Sequence, residues 1–294
     1  MKTSTNQLLS QFKALADPVR VRLVALCSVA ECSVSELTTV TGQSQPRISQ
    51  QVKQLCEAGL LERFKDGHFV YYRMRSSGED AAARRRLLAL LPDDEPQLDK
   101  DAEKLREIRA EGDVIALPAS ESDRMLHRAL VELTVARPLG DLLDIGCGQG
   151  RILKLLASRA HRAVGVDIDS TARRLARAEL LLAGTPNTTL RQGDMVSLPF
   201  EDGEFDTVIL DDVLGDTKES AAAVLEAKRL VKSGGRVLLL AAVQNIDVSE
   251  KRKQFADLAA STNLRLASPR LIPASNPAWL LAVATRTDSV SAVA

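Results

Sequence analysis

Aromatic side chains make up only 3% of the 294 residues. Beyond residue 150 the chain holds just Phe200, Phe205, Phe255 and Trp279, which is thin for a pocket that must stack a base flipped out of a nucleic acid. Four cysteines (Cys27, Cys32, Cys56 and Cys147) show no Cys-x-x-Cys or other metal spacing, so unpaired thiols in a reducing compartment are expected and no metal. Three histidines, His68, His127 and His161, are scattered. No run of eighteen apolar residues occurs, nor a basic leader with an apolar stretch behind it, so the expectation is a soluble, cytoplasmic protein with no membrane partner. Net formal charge is zero, which by itself argues for no polyanion. The balance is uneven, however: residues 1–75 carry ten Lys and Arg against six Asp and Glu. At 45% hydrophobic, a chain of this length can bury two cores.

What is present begins with Leu142-Leu-Asp-Ile-Gly-Cys-Gly-Gln-Gly150. This is a short apolar strand running into a loop with glycine at every second position. Ile152, Leu153, Leu155 and Leu156 then give the following helix an apolar face. Glycines at 146, 148 and 150 let the backbone bend tightly and let a bulky ligand approach where a Cβ would collide. Asp144 closes the strand, placed to take a positive group. The spacing fits neither a phosphate-binding loop nor a Gly-x-Gly-x-x-Gly dinucleotide turn. Ala163-Val-Gly-Val-Asp167 is a second buried strand ending in an acid, where doubly wound folds place the carboxylate that grips a ribose diol. Thr188 to Arg191 is a third, followed by Gln192-Gly-Asp194-Met195. Phe205-Asp-Thr-Val-Ile-Leu-Asp211 is a fourth.

Together these motifs resemble the class I S-adenosylmethionine-dependent methyltransferases over about residues 123–286. The resemblance implies a doubly wound, seven-stranded Rossmann-like α/β domain, with strands near residues 141, 163, 188, 207, 235, 264 and 279. It also implies that Asp144, Gly146, Cys147, Gly148 and Gly150 border the methionine part of S-adenosylmethionine or S-adenosylhomocysteine. Asp167 and Ile168 would hold the ribose side, and Asp194 with Met195 the adenine. Asp211 lies beside them, and Leu230-Val-Lys-Ser-Gly-Gly-Arg-Val-Leu-Leu-Leu240 matches the glycine turn into strand five. The segments that usually build acceptor pockets are short. Asp211 and Asp212 are weak candidates for a general base, with cofactor or solvent contact the better reading. Methyl transfer needs little beyond in-line positioning, so a missing base does not exclude it.

The front of the chain reads differently. Asp17 suits an N-cap with Pro18 in the first helical position. Ser33-Val-Ser-Glu36 has capping-box form. After Thr41-Gly42-Gln43, Ser44 caps a helix in which Ile48, Val52 and Leu55 share one face. Helix, glycine turn, helix is the arrangement that puts the second helix in a major groove. Alternation from Glu62 to Arg73 around Asp66-Gly67 reads as a two-stranded wing. Residues 10–75 resemble the α+β winged helix-turn-helix domain of the ArsR/SmtB regulators. That resemblance implies operator DNA as partner, with Gln45, Arg47, Ser49, Gln50 and Gln51 facing the groove and Lys53, Arg63, Lys65 and Arg73 meeting phosphate. It also implies a homodimer. Metal-sensing members carry Cys-Val-Cys-Asp where this chain has Ser33-Val34-Ser35-Glu36, and hydroxyls are poor ligands for soft metals.

The expected organisation is a winged-helix and dimerisation domain over 1–92, with a leucine-striped helix at Glu79–Leu91. A charged, mostly solvated helical linker over 93–122 follows, then the methyltransferase-like domain over 123–286 and a disordered tail over 287–294. Two functions stay open: a regulator whose back domain senses S-adenosylmethionine or S-adenosylhomocysteine, and an active methyltransferase on a small acceptor with an autoregulatory DNA-binding domain.

Overall fold

The structure is a computed structural model describing residues 5–66, 69–75, 87, 89, 95–110, 121–215, 218–243 and 246–287. The expected hairpin turn at 67–68, most of the Glu79–Leu91 helix, the connector at 111–120 and the tail from 288 lie outside them. The chain divides into two compact units, residues 1–114 with 177–186, and residues 115–176 with 187–294.

In the first unit, helices α1 (Thr5–Leu15), α2 (Pro18–Val29), α3 (Val34–Thr41) and α4 (Gln45–Glu57) stand with strands β1 (Cys32–Ser33), β2 (Leu61–Asp66) and β3 (Phe69–Met74). The strands form an antiparallel sheet in the order β1-β3-β2. Local chemistry sets the helix starts. Asp17 accepts the Arg20 N–H at 3.0 Å, and Ser33 and Glu36 complete the capping box. Gly42, at φ 70°, ends α3 in the left-handed conformation that glycine adopts without strain. Ser44 occupies the N-cap of α4 but makes no side-chain cap bond, contrary to expectation; Pro46 in the first turn removes one of the orphan N–H groups. Ile48, Val52 and Leu55 are buried on one face as their spacing predicts.

The helix expected to be a solvated linker, α5 (Pro96–Ala110), belongs to this unit. Leu105 is fully buried in its core. Asp101 takes both arms of Arg22 at 2.6 and 2.7 Å, and Arg109 reaches Glu36 at 2.7 Å and the Glu31 carbonyl at 2.6 Å. Arg177, in the 177–186 segment of the same unit, pairs with Glu31 and Asp66 and lies over the Tyr71 ring at 4.1 Å. Charged residues hidden in pairs make a sequence look more solvated than it is.

Among the described residues the second unit has eight strands: β4 (Asp141–Ile145), β5 (Arg162–Asp167), β6 (Thr188–Gln192), β7 (Phe205–Asp211), β8 (Val231–Ala242), β9 (Leu264–Leu266), β10 (Arg270–Ile272) and β11 (Trp279–Arg286). Their order is β10-β11-β8-β7-β4-β5-β6, with β9 on β11. β4 through β8 are parallel and β9 to β11 antiparallel. All seven expected strands are present; β10, three residues long, is an eighth. Helices α6 (Glu121–Ala136), α7 (Arg151–Leu156), α8 (Ser170–Leu182), α9 (Lys218–Leu230) and α10 (Val248–Ser261) accompany the strands; α8 has its last six residues in the first unit. The chain steps outward from β4 through β5 to β6, then returns to β7 on the other side of β4. The carboxyl ends of β4 and β7 therefore flank the point where strand order reverses, which is where open α/β sheets bind ligands.

The Glu36–Arg109 pair yields a stability test. Burial alone would raise the Glu36 carboxyl, but Arg109 and the Ser33 donors outweigh it and hold it below its ordinary value. The pair's contribution is therefore complete above the unfolded carboxylate value and is lost as pH falls through the folded one. Arg109→Met should cost roughly 3 kcal/mol in urea unfolding at pH 7, because it strands a largely buried carboxylate. Adding Glu36→Gln should recover more than half of that loss.

Candidate functional site

The glycine loop is tied to the neighbouring strand. The Val166 carbonyl accepts N–H groups from both Gly146 and Cys147, at 2.7 and 3.0 Å. Gly146 has φ 73°, and a Cβ there would lie 2.2 Å from Val213 Cγ1, so no larger residue fits. Gly148, at φ 51°, faces open space, and its N–H donates to Asp167 Oδ2 at 2.8 Å. Asp169 N–H holds the other Asp167 oxygen at 2.8 Å. Oriented by two backbone donors, this carboxylate keeps acceptor capacity for a pair of hydroxyls. Ile168 beside it is 69% exposed. Asp194 is exposed and Met195 packs partly against the core.

Cys147 departs from expectation. Its side chain is buried, with Sγ 2.8 Å from where a Cβ on Gly165 would stand. Burial, then the nearby Asp144 and Asp167, push the thiol well up. The side chain packs against the sheet, and the backbone N–H is already spent on Val166.

Among the described residues Asp144 is the deepest acid, 1% exposed, with neither carboxylate oxygen hydrogen-bonded. Burial raises its carboxyl well above the ordinary range, and the charge of Asp211 adds to that. Asp211 is gripped by Arg151, whose Nη2 donates to both oxygens at 3.0 and 2.9 Å. Arg151 also approaches Asp123 on α6 at 3.5 Å and lies 4.4 Å over the Trp279 ring. Asp212, at φ 55°, accepts the Ala242 N–H at 3.0 Å. The two carboxylates considered as weak bases are thus both engaged.

Sequence reasoning missed Arg151, Trp279, Asp123 and His127. Only Arg151 left a local signal, since it follows Gly150 directly. His127 Nε2 is buried without a hydrogen-bond partner, and burial followed by the Arg151 charge lowers its pKa.

In the first unit, Gln45, Arg47, Ser49, Gln50 and Lys53 are exposed on α4, and Arg63 and Lys65 are exposed on β2. Two expected contacts are otherwise committed. Gln51 is half-buried and accepts from Arg20 at 3.0 Å. Arg73 pairs with Glu62 and Glu31 and lies 5.2 Å over Phe64. Among the described residues no helix is long and apolar enough to cross a membrane, and no cluster of three or more His, Cys, Asp or Glu is placed to hold a metal.

Comparison with known proteins matches both units. Residues 17–63 fit the family model of bacterial regulatory proteins of the arsR family, and residues 143–239 fit the methyltransferase domain model. The chain joins an arsR-family helix-turn-helix to a methyltransferase domain. Among curated proteins it is 32% identical over 126 residues to an uncharacterized 37.1 kDa transposon protein of Streptomyces fradiae, covering 42% of this chain and 36% of that one. It is 36% identical over 122 residues to the ubiquinone/menaquinone biosynthesis C-methyltransferase UbiE of Burkholderia mallei, covering 39% and 50%. The chain thus spans half or less of these relatives' length. Solved structures with a similar fold include YcgJ from Bacillus subtilis (TM-score 0.45, 17% identity, 55% of this chain and 98% of that one). A methyltransferase from Aquifex aeolicus is another (TM-score 0.49, 14% identity, 57% and 94%).

The methyltransferase domain implies a site for S-adenosylmethionine or S-adenosylhomocysteine, and the residues present fit one. Asp144 offers buried, unpartnered oxygens, Gly148 an open approach, and Asp167 a preset acceptor. When bound, S-adenosylmethionine supplies a methyl group activated on a sulfonium. Because the folded Asp144 carboxyl lies above its unfolded value of 3.8, its ionisation costs stability as pH rises from that value through the folded one. Asp144→Asn removes the cost. Its melting temperature should exceed that of the unsubstituted protein by a margin that widens as pH rises above about 4, while calorimetry shows weakened ligand binding.

Proposed function

We propose that this protein is a cytoplasmic, dimeric, DNA-binding transcriptional regulator. Its methyltransferase domain binds S-adenosylmethionine or S-adenosylhomocysteine, and that binding changes its affinity for operator DNA. The observation that carries this reading over a catalytic one is the state of the acceptor-side carboxylates. Asp211 is held by Arg151 and Asp212 by the Ala242 N–H, and only a short stretch leads from β7 to α9. The loop and the Asp167 acceptor, by contrast, stand ready for a ligand. The exposed polar face of α4 supports base readout: Arg suits guanine and Gln adenine in bidentate pairing. Lys53, Arg63 and Lys65 supply phosphate contacts, and a second copy doubles them over two half-sites. A ligand shifts DNA affinity only if it binds the DNA-competent and incompetent states unequally. Helix α8 supports a route, since Arg173 near its start donates to the Asp167 carbonyl at 2.8 Å and its last residues belong to the first unit.

A second reading has its own support. A neutral His127 with an unpartnered Nε2 is a base in waiting, which favours an active methyltransferase on a small acceptor.

Fluorescence anisotropy on a labelled duplex from upstream of the protein's own coding sequence tests the first reading. Each ligand, titrated in turn, should move the apparent Kd at least threefold, about 0.7 kcal/mol of coupling. Asp167→Ala should abolish the shift and leave bare DNA binding intact, whereas Arg47→Ala should weaken DNA binding about tenfold or more. An unchanged Kd with both ligands would remove the regulatory reading. Transfer of a labelled methyl group from S-adenosylmethionine to a small acceptor with release of S-adenosylhomocysteine, lost in His127→Ala, would establish the second.

A further inference from the structure

Helix α8 begins at the ribose-side acid and ends in the winged-helix unit. Asp167 Oδ1 accepts the Asp169 N–H at 2.8 Å, and Asp169 Oδ1 in turn accepts the Thr171 N–H at 2.8 Å, as an N-cap does. In the same first turn, Arg173 donates to the Asp167 carbonyl at 2.8 Å. The start of α8 is therefore tied to the residue suited to the ligand's hydroxyls. From Ser170 to Leu182 the helix contains neither glycine nor proline, so nothing in it invites a kink. Arg177 follows Arg173 by four residues, on the same face, and is the first residue of the helix to belong to the winged-helix unit.

Within that unit Arg177 is a buried node. Its Nε donates to Glu31 at 3.1 Å, Nη2 pairs with Asp66 at 2.7 Å, and the guanidinium lies 4.1 Å over the Tyr71 ring. Its backbone carbonyl accepts Arg109 Nη1 at 3.2 Å. The side chains of Arg177, Glu31 and Asp66 are each at most 6% exposed. Asp66 ends β2 and is paired in register with Phe69, the first residue of β3, next to exposed Lys65. A buried carboxylate that loses its cation is left uncompensated in the interior. A displacement of Arg177 is therefore not absorbed gradually: Asp66 either follows it or is stranded.

We propose that Arg177 is the residue through which ligand at Asp167 sets the wing, by fixing where the Asp66 end of β2 and the neighbouring Lys65 stand. This names the regulation of the ligand site and rests on the regulatory reading above. A ligand whose hydroxyls donate to Asp167 draws on the same oxygens that hold the Gly148 and Asp169 N–H groups, so occupancy moves the start of α8. Eight residues, roughly 12 Å of helix, carry that movement from Asp169 to Arg177. The wing then answers to a ligand it does not touch, while Ile48, Val52 and Leu55 keep α4 seated in its core.

Fluorescence anisotropy on the full-length protein and the same labelled duplex tests this, with S-adenosylmethionine and S-adenosylhomocysteine titrated in turn. The readout is the ratio of Kd with and without ligand. Asp66→Asn cuts the wing from Arg177, so a ratio of about threefold or more should fall below about 1.5-fold. Arg177→Lys should fall between, because it keeps the charge but not the fork. Calorimetry should show both variants still binding S-adenosylhomocysteine, since the ligand's own residues are unaltered. A purely structural ion pair would lower the melting temperature of Asp66→Asn and leave the ratio intact, which would overturn the proposal and spare the regulatory reading. Loss of ligand binding in that variant would overturn it too, by showing that Asp66 holds the fold. In the unsubstituted protein, amide hydrogen exchange at residues 62–66 and 69–73 should change at least about twofold when ligand is bound; unchanged exchange there would sink the proposal without recourse to any variant. A Kd that neither ligand moves in the unsubstituted protein would remove the regulatory reading and this inference with it.

Discussion

One carbonyl organises the ligand edge. Val166 lies one residue before the end of β5, and its oxygen accepts the N–H groups of both Gly146 and Cys147. A carbonyl has two lone pairs, and a loop leaving a parallel strand must satisfy its backbone somewhere. Because the tie reaches two successive residues, it fixes the loop's orientation as well as its position. Gly146 is pressed beneath Val213, Cys147 is turned into the sheet, and Gly148 is brought within reach of Asp167. The spacing of alternate glycines follows: a Cβ at the first would strike Val213, the third takes a left-handed φ of 51° in open space, and the second can carry a side chain because it faces inward.

The sequence was most legible where chemistry and local order coincide. The glycine loop and the acids at the ends of β4, β5 and β7 each adjoin their own apolar strand, so periodicity and position agree. The caps at Asp17 and Ser33 are local too, and the structure keeps both. Long-range pairings were invisible. Arg151 and Asp211 lie 60 residues apart, and nothing local to either names the other. Helix α5 misled for a related reason: Asp101 and Arg109 read as solvated charges, yet each is buried against a partner more than 70 residues away. Gln51 and Arg73 share the right helix or strand with exposed neighbours, but internal partners claim them. Strand β10, at three residues, is too short to show a pattern.

The same accounting bears on charge in the winged-helix unit. Fewer of its arginines face outward than their number implies, since Arg20, Arg22, Arg73, Arg109 and Arg177 are all tied to internal acceptors. Each is placed where a planar fork holds two elements together, a task lysine performs poorly. Lysines and the few outward arginines remain for the surface. Modest surface charge limits nonspecific attraction to nucleic acid. The position where metal-sensing regulators place ligands is here a joint: Glu36 caps α3 and anchors α5 through one carboxylate.

The unpartnered carboxyl of Asp144 bears on how long a molecule lasts. A domain that keeps an acid in its interior with nothing to answer it is less stable empty than filled. Any group that settles there in the native state and not in the unfolded chain holds the fold together by mass action. In a cell, where proteases sample the opened form, the copies without ligand are then the first to be removed.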